Sequence, residues 1–129
     1  MREVCFLIDV KGAVIWSDAG PNAAALPDSR ARWEAIWTHR ETLAEIAHSH
    51  PIGPRAFSLE DETTMEALDA ALGKKLRFSV VAPDGRVVRD EKGEVRTSEE
   101  RPWWAALLRL ASGMPPSPQS PGGSRKGEA

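Results

Sequence analysis

The stretch HSHPIGPRAFSLED, residues 48–61, decides how this 129-residue chain is expected to fold. It follows residues 43–47 (LAEIA), a run that predicts a buried strand, so His48 and His50 are expected two positions apart on that strand. Because side chains alternate between the faces of a strand, both imidazoles should lie on the same face. Pro51 cannot donate a ladder hydrogen bond and is predicted to end the strand.

The second half of this stretch predicts a loop and then a helix. Residues 53–54 (GP) indicate the loop, and Ser58 is a good helix N-cap with the acidic Asp61 three positions later. Apolar residues then recur at helical spacing, which predicts a helix over residues 59–72. Asp61 would lie in its first turn, where it could face the two histidines across the loop.

Two imidazoles and one carboxylate form a donor set suited to zinc. Three protein ligands leave the fourth tetrahedral position for water, whose pKa the ion lowers to about 7, so a purely structural site is disfavoured. Catalysis would also need a carboxylate that carries the proton of the water and a donor for the oxyanion formed when a carbonyl is attacked. Ser58, beside the ligand loop, is the candidate donor.

In type and spacing, these residues resemble the signature of the JAMM (JAB1/MPN/Mov34-type) metalloproteases. The match consists of His48-Ser49-His50, the proline that follows, Ser58 after seven residues, and Asp61 after two more. The resemblance implies that His48, His50 and Asp61 bind zinc and that Ser58 supports the tetrahedral intermediate. It also implies the compact JAB/MPN fold, which is similar to that of cytidine deaminases.

The family also uses an upstream glutamate as general acid/base, just before an apolar strand. The comparable stretch here is residues 2–8 (REVCFLI), which nominates Glu3. Phe6 departs from the glycine of the family, and the helix that usually precedes this glutamate has no counterpart in the sequence. Glu45 is a weaker candidate because its strand parity is opposite to that of the histidines.

Two other interpretations compete with a catalytic metal site. The spacing of Ser58 and Asp61 is also that of a plain capping box, and a His-x-His pair on a strand is commonly polar surface or a satisfied core pair. The joint pattern favours metal binding. The second alternative is a catalytically inactive JAB/MPN-like scaffold that acts in protein assembly, which Glu3→Gln would separate from an enzyme.

Composition sets the class of protein. With 41% hydrophobic and 28% charged residues, the chain is expected to be an ordinary globular protein with one domain. A net charge of -2 gives no case for nucleic acid or a membrane surface, and no apolar run approaches a membrane span. The single cysteine, Cys5, cannot form an internal disulfide, so a cytoplasmic location and a buried structural role are expected.

The remaining chain predicts alternating strands and helices. The expected elements are a β-hairpin at residues 4–16, a helix at 30–42, strands at 76–81 and 86–89, a short edge strand within 90–96, and a helix at 99–112 with Pro102 in its first turn. This order predicts an α/β fold, a single domain with a mixed β-sheet flanked by helices.

Two helix faces are expected to pack in the core. Trp33, Ile36 and Trp37 recur at helical spacing in the first helix, and a substrate-binding aromatic pair is the weaker interpretation. In the last helix the expected face consists of Trp103, Leu107 and Leu110. Trp104 and Leu108 are expected beside this face.

Residues 1–112 are therefore expected to form a JAB/MPN-type metalloprotease domain. Residues 113–129, rich in Pro, Gly and Ser, are expected to be a disordered tail, and residues 122–123 (GG) within it are attributed to composition.

The expected function is that of a zinc-dependent hydrolase cleaving an amide bond. The resemblance implies a metallopeptidase or isopeptidase that acts at the C terminus of a ubiquitin-like or sulfur-carrier protein. The chain has no room for the long insertions that clamp ubiquitin in eukaryotic members, and it looks like the minimal prokaryotic form. The donor set alone would equally suit a small amide.

Overall fold

A computed structural model describes residues 1–118 of the chain. Six strands and three helices alternate within these residues. In chain order they are β1 (Val4–Asp9), β2 (Val14–Ala19), α1 (Arg30–Thr38), β3 (Leu43–Ser49), α2 (Leu59–Leu72), β4 (Arg77–Ala82), β5 (Gly85–Arg89), β6 (Val95–Ser98) and α3 (Trp103–Ser112).

The six strands form one mixed sheet in the order β2-β1-β3-β4-β5-β6. β3 and β4 are parallel, and α2 is the crossover between them, whereas the other neighbouring pairs are antiparallel. The prediction of a single α/β domain with a mixed sheet flanked by helices is confirmed.

The sheet separates two cores. α1 and α2 cover one side, called here the α1/α2 face, where Ile46 of β3 packs with Ile36 and Leu68. α3 covers the opposite side, the α3 face, where Ala47 packs with Trp104 and Leu108. Because successive residues of β3 point to opposite faces, a single strand contributes to both cores.

Some element bounds differ from the prediction. α2 has the predicted bounds, but α1 ends at Thr38 because His39 leaves the helical conformation and its carbonyl accepts from Leu43 N. β2 continues to Ala19, beyond the predicted end of the hairpin at residue 16, since its pairing with β1 extends that far. Pro102 is the N-cap of α3, with ψ of 151°, and not a residue of its first turn.

The predicted core face of α3 was wrong. Trp104 and Leu108 are buried, whereas Trp103, Leu107 and Leu110 are 61%, 45% and 58% exposed. The cause is Arg109, the one charged residue of this helix.

The Arg109 guanidinium is buried and donates to the carbonyl oxygens of Ala82, Pro83, Pro115 and Ser117. These bonds turn the Arg109 side of α3 inward and the predicted face outward.

Helix α1 also exposes more aromatic surface than predicted. Ile36 is buried with Ala35, but Trp33 and Trp37 are 36% and 54% exposed. The Trp37 ring lies under the guanidinium of Arg40, at 4.0 Å from Cζ to the ring centroid.

Residues 113–118, assigned to the disordered tail by composition, lie against the domain. Met114 is buried on the α3 face. Arg109 donates hydrogen bonds to the carbonyl oxygens of Pro115 and Ser117, which follow Met114. The rest of the predicted tail, with residues 122–123, lies outside the described residues. Within residues 1–118, none of the helices combines the length and the apolar character that a membrane span requires.

Candidate metal centre

The two histidines lie where β3 ends, on the α1/α2 face. His48 is the next-to-last residue of the strand, and the backbone N–H of His50 donates to Val81 O at 2.8 Å, which continues the alignment with β4. The two rings meet edge to face, with centroids 4.9 Å apart. The strand parity inferred from the sequence thus places both imidazoles side by side.

Asp61 reaches both histidines from the first turn of α2. Its carboxylate oxygens lie 3.3 Å from His48 Nε2 and 3.5 Å from His50 Nε2. A capping box fixes this turn, because Ser58 N donates to Asp61 Oδ2 at 2.8 Å and Asp61 N donates to Ser58 Oγ at 3.0 Å. The cap therefore positions the carboxylate, so the capping and metal-binding interpretations are compatible.

Glu3 joins this group from the position just before β1. Its side chain and those of His48 and His50 each offer a donor atom, and these three atoms lie within 4.8 Å of one another. The backbone of Glu3 is fixed by two hydrogen bonds, one donated to Asn22 O at 2.9 Å and one accepted from Gly20 N at 2.8 Å. Glu3 is 9% exposed, and these two bonds restrain its backbone.

Glu45 lies on the other side of the sheet, as its strand parity indicated. Its carboxylate is buried on the α3 face, where it accepts from Arg86 Nη2 at 3.0 Å and from the Ser79 hydroxyl. Glu45 is therefore separated from the histidines by the thickness of the sheet.

The charges of the site are coupled. Burial alone would raise the pKa of Asp61, but the close contacts of its carboxylate with His48 and His50 outweigh this effect and hold that pKa well below its usual range. For His50, burial lowers the pKa, and contacts with the Asp61 carboxylate and the Pro54 carbonyl raise it above its usual value overall. Asp61 is thus ionised at neutral pH, and His50 is biased toward the imidazolium in the metal-free chain.

Glu3 differs from Asp61 in the balance of these effects. Burial raises the pKa of Glu3, and the nearby His48 and His50 offset this only in part. An upward shift of the carboxyl pKa is the direction that general acid/base catalysis favours.

The donor chemistry of the site fits zinc. Imidazole nitrogen and carboxylate oxygen are both zinc ligands, and His50 Nδ1 lies 3.0 Å from Pro54 O, the outer contact expected of a metal-binding histidine. His48 Nδ1 is buried without a hydrogen-bond partner among the described residues. The metal-free chain therefore leaves one buried ring nitrogen of this pair unsatisfied, which costs stability.

Ser58 can serve as a cap and still donate a hydrogen bond. Its hydroxyl oxygen accepts from Asp61 N, which uses a lone pair and leaves the O–H free. No acceptor for this O–H occurs within residues 1–118. Ser58 can therefore cap α2 and donate to an oxyanion at the same time.

The site opens into a cavity of about 720 Å³ between α1, α2 and the loop that follows β3. Trp33 and Ile36 line one side, while Ile52 and Leu59 stand at the mouth with exposures of 65% and 79%. Cys5 also borders the cavity, but burial raises the pKa of its thiol to about 12. That pKa excludes a thiolate nucleophile at neutral pH.

All five residues nominated from the sequence lie around this cavity. The sequence missed the Pro54 carbonyl, because a backbone contact leaves no trace in residue type. A comparison with models of known protein families finds no match, and neither does a search of curated proteins. The JAMM resemblance therefore rests on the spacing of the motif.

Proposed function

We propose that this protein is a zinc-dependent hydrolase of amide bonds with a JAB/MPN-like fold. The observation that carries the proposal is the convergence of two histidines and two carboxylates from three separate segments. Glu3 precedes β1, His48 and His50 lie at the end of β3, and Asp61 is in the first turn of α2. Both Asp61 and Glu3 nevertheless lie beside the same pair of imidazoles.

The two carboxylates are proposed to have different roles. Asp61, ionised and in contact with both Nε2 atoms, completes the ligand set with His48 and His50. Glu3, whose pKa is raised, takes a proton from the attacking water and returns it to the leaving amine. Zinc, when bound, supplies a Lewis acid and an activated water.

Ser58 is proposed to stabilise the developing oxyanion. The cap contact with Asp61 N holds the Ser58 hydroxyl oxygen in place, and the O–H remains free to rotate and donate to the oxyanion.

The substrate is proposed to be a peptide or isopeptide bond after the C terminus of a ubiquitin-like or sulfur-carrier protein. The family resemblance supports this class. The exposed Ile52 and Leu59 at the cavity mouth favour a polypeptide over a small amide, because a small amide would leave these apolar side chains in water. We also propose that the protein is located in the cytoplasm.

Glu3→Gln tests the enzyme against the scaffold. The wild type and the variant would be compared for zinc content and for cleavage of a panel of ubiquitin-like C-terminal fusions. The enzyme predicts unchanged zinc and at least a roughly 100-fold loss of turnover, the usual lower bound for removing a general acid/base. Glu62→Gln, in the exposed first turn of α2, is the matched control.

Equal cleavage by Glu3→Gln and wild type would contradict the proposed role of Glu3. A loss of zinc in this variant would instead assign Glu3 to the ligand set. No cleavage by the wild type of any fusion, with zinc bound, would favour the scaffold.

A further inference from the structure

The loop between β3 and α2, residues 51–57, carries the outer contact of a proposed metal ligand. His50 Nδ1 lies 3.0 Å from the carbonyl oxygen of Pro54. When Nδ1–H donates to this carbonyl, the proton is held on Nδ1 and the Nε2 lone pair remains free to bind a metal. The orientation of one carbonyl group therefore determines which nitrogen of His50 can act as a ligand.

That carbonyl shares its peptide unit with the backbone nitrogen of Arg55. The Arg55 side chain crosses to the turn between β4 and β5, where Nη1 donates to Asp84 O at 3.1 Å and lies 3.6 Å from Asp84 Oδ2. Among the described residues, Arg55 makes the only side-chain hydrogen bond from loop 51–57 to the β4–β5 turn.

The absence of a side chain at Gly85, directly after this turn, leaves room for the Arg55 guanidinium. Gly85 has φ of +145°, and a Cβ placed there would lie 3.1 Å from Arg55 Nη1 and 3.4 Å from Arg55 Cδ. A side chain at this position would be strained and would press on Arg55. The space that Gly85 leaves is therefore used by the arginine.

We propose that Arg55 is a positioning residue of the metal centre, an inference that rests on the proposed zinc site. By anchoring to Asp84, Arg55 holds the peptide of residues 54–55 so that its carbonyl accepts from His50 Nδ1. Arg55 does not contact the donor atoms. It acts through the tautomer and the ring orientation of His50.

The effect is expected to be moderate. The side chains of Arg55 and Asp84 are 33% and 34% exposed, so solvent weakens their contact. Direct outer contacts of metal ligands typically change affinity by about 10- to 100-fold, and Arg55 is one step further out. Arg55→Ala is therefore expected to weaken zinc binding by about 3- to 10-fold.

The first readout is the tautomer of His50 in the metal-free protein. Long-range ¹H–¹⁵N NMR, at a pH where the imidazoles are neutral, should find the proton of His50 on Nδ1 in the wild type, because Nδ1 lies 3.0 Å from Pro54 O whereas Nε2 lies 3.5 Å from Asp61, beyond an ordinary hydrogen bond. Arg55→Ala should give a mixture of the two tautomers, and His48 should be unaffected. A general loss of structure would move both histidines, so this readout separates positioning from stability.

The second readout is zinc affinity by competition with a chelator. Arg55→Lys should recover part of the loss, and Asp84→Ala should have a smaller effect than Arg55→Ala because the Asp84 carbonyl remains. Arg96→Ala is the matched control, since Arg96 pairs with Asp90 across the neighbouring β5–β6 turn, at 2.9 Å and away from the site.

The outcomes distinguish this inference from the proposed function. An unchanged His50 tautomer together with an unchanged zinc affinity in Arg55→Ala would overturn the role of Arg55, and so would an equal loss in Arg96→Ala. If the wild type binds no zinc, the proposed function fails, and the tautomer alone then decides whether Arg55 positions His50.

Discussion

β3 carries a polar cluster on each face of the sheet, and the two clusters differ in how completely their polar atoms are paired. On the α3 face, Glu45 pairs with Arg86 and Ser79 in a closed, buried group. On the α1/α2 face, His48 and His50 meet Asp61 at 3.3 and 3.5 Å, distances longer than ordinary hydrogen bonds, beside an open cavity.

This contrast separates stability from function within one strand. The Glu45 cluster leaves no buried side-chain polar atom without a partner among residues 1–118, as a structural role requires. The histidine cluster leaves His48 Nδ1 without a partner among the described residues and places two carboxylates beside two imidazoles. Incomplete pairing at a cavity is expected where a ligand completes the set.

The largest expected effect on stability comes from breaking the closed cluster. Glu45→Ala leaves the buried Arg86 guanidinium without its carboxylate and should cost about 3–5 kcal/mol of unfolding free energy. Urea unfolding measures this cost, and zinc binding by the folded fraction should be unchanged. Glu34→Ala removes an exposed ion pair and should leave stability nearly unaltered. A Glu45→Ala variant as stable as the wild type would contradict a structural role for this cluster.

In the open cluster, Ser58→Gly should lower turnover much more than stability. Glycine is tolerated at an N-cap at a cost of a few tenths of a kcal/mol, but the hydroxyl donor is lost, which should reduce kcat by about 10²- to 10³-fold. Thermal unfolding and steady-state kinetics on one preparation separate the two effects. If kcat falls only in proportion to the folded fraction, Ser58 is a cap alone.

The response to pH should also distinguish the clusters. The raised pKa of His50 stabilises the metal-free protein fully below its unfolded value near 6.5, and this stability is lost as the pH rises through the folded value. Zinc needs the neutral imidazole, so the gain in Tm on adding zinc should be larger at pH 8 than at pH 6, by about 2–4 °C. His50→Gln should abolish this difference, whereas His39→Gln, outside the cluster, should preserve it. An equal gain at both pH values would argue against a metal-linked His50.

The smallest expected effect is at the mouth of the cavity. Leu59→Ser should raise KM for a polypeptide substrate by about 3- to 10-fold through lost apolar contact, with kcat and zinc content unchanged. Leu110→Ser, on the exposed side of α3, is similarly exposed at 58% and serves as the control. Equal KM values for the two variants would show that the mouth does not contact the substrate.

The sequence predicted the local parts of this comparison well. The bounds of α2, the cap at Ser58 and the parity that separates Glu45 from the histidines all follow from neighbouring residues, through helical period, capping chemistry and strand alternation. These properties do not depend on distant contacts, so one sequence was enough.

Features that depend on distant contacts were missed. The inward face of α3 is set by hydrogen bonds from Arg109 to carbonyl oxygens next to the β4–β5 turn and beyond the helix. The spacing of apolar residues alone predicted the wrong face. The contact of His50 with Pro54 uses a backbone carbonyl. Every residue has such a carbonyl, so the residue type does not indicate the contact. Neither contact could be inferred from residue types along the chain.

The most direct test of the central claim is the zinc content of the purified protein, measured by mass spectrometry for the wild type, His48→Ala and Asp61→Ala. The proposed metal centre predicts about one zinc per chain in the wild type and a loss of zinc in both variants. The folded fraction of Glu45→Ala should still bind zinc. No metal in any preparation after zinc is supplied, or equal metal in all of them, would contradict the metal centre.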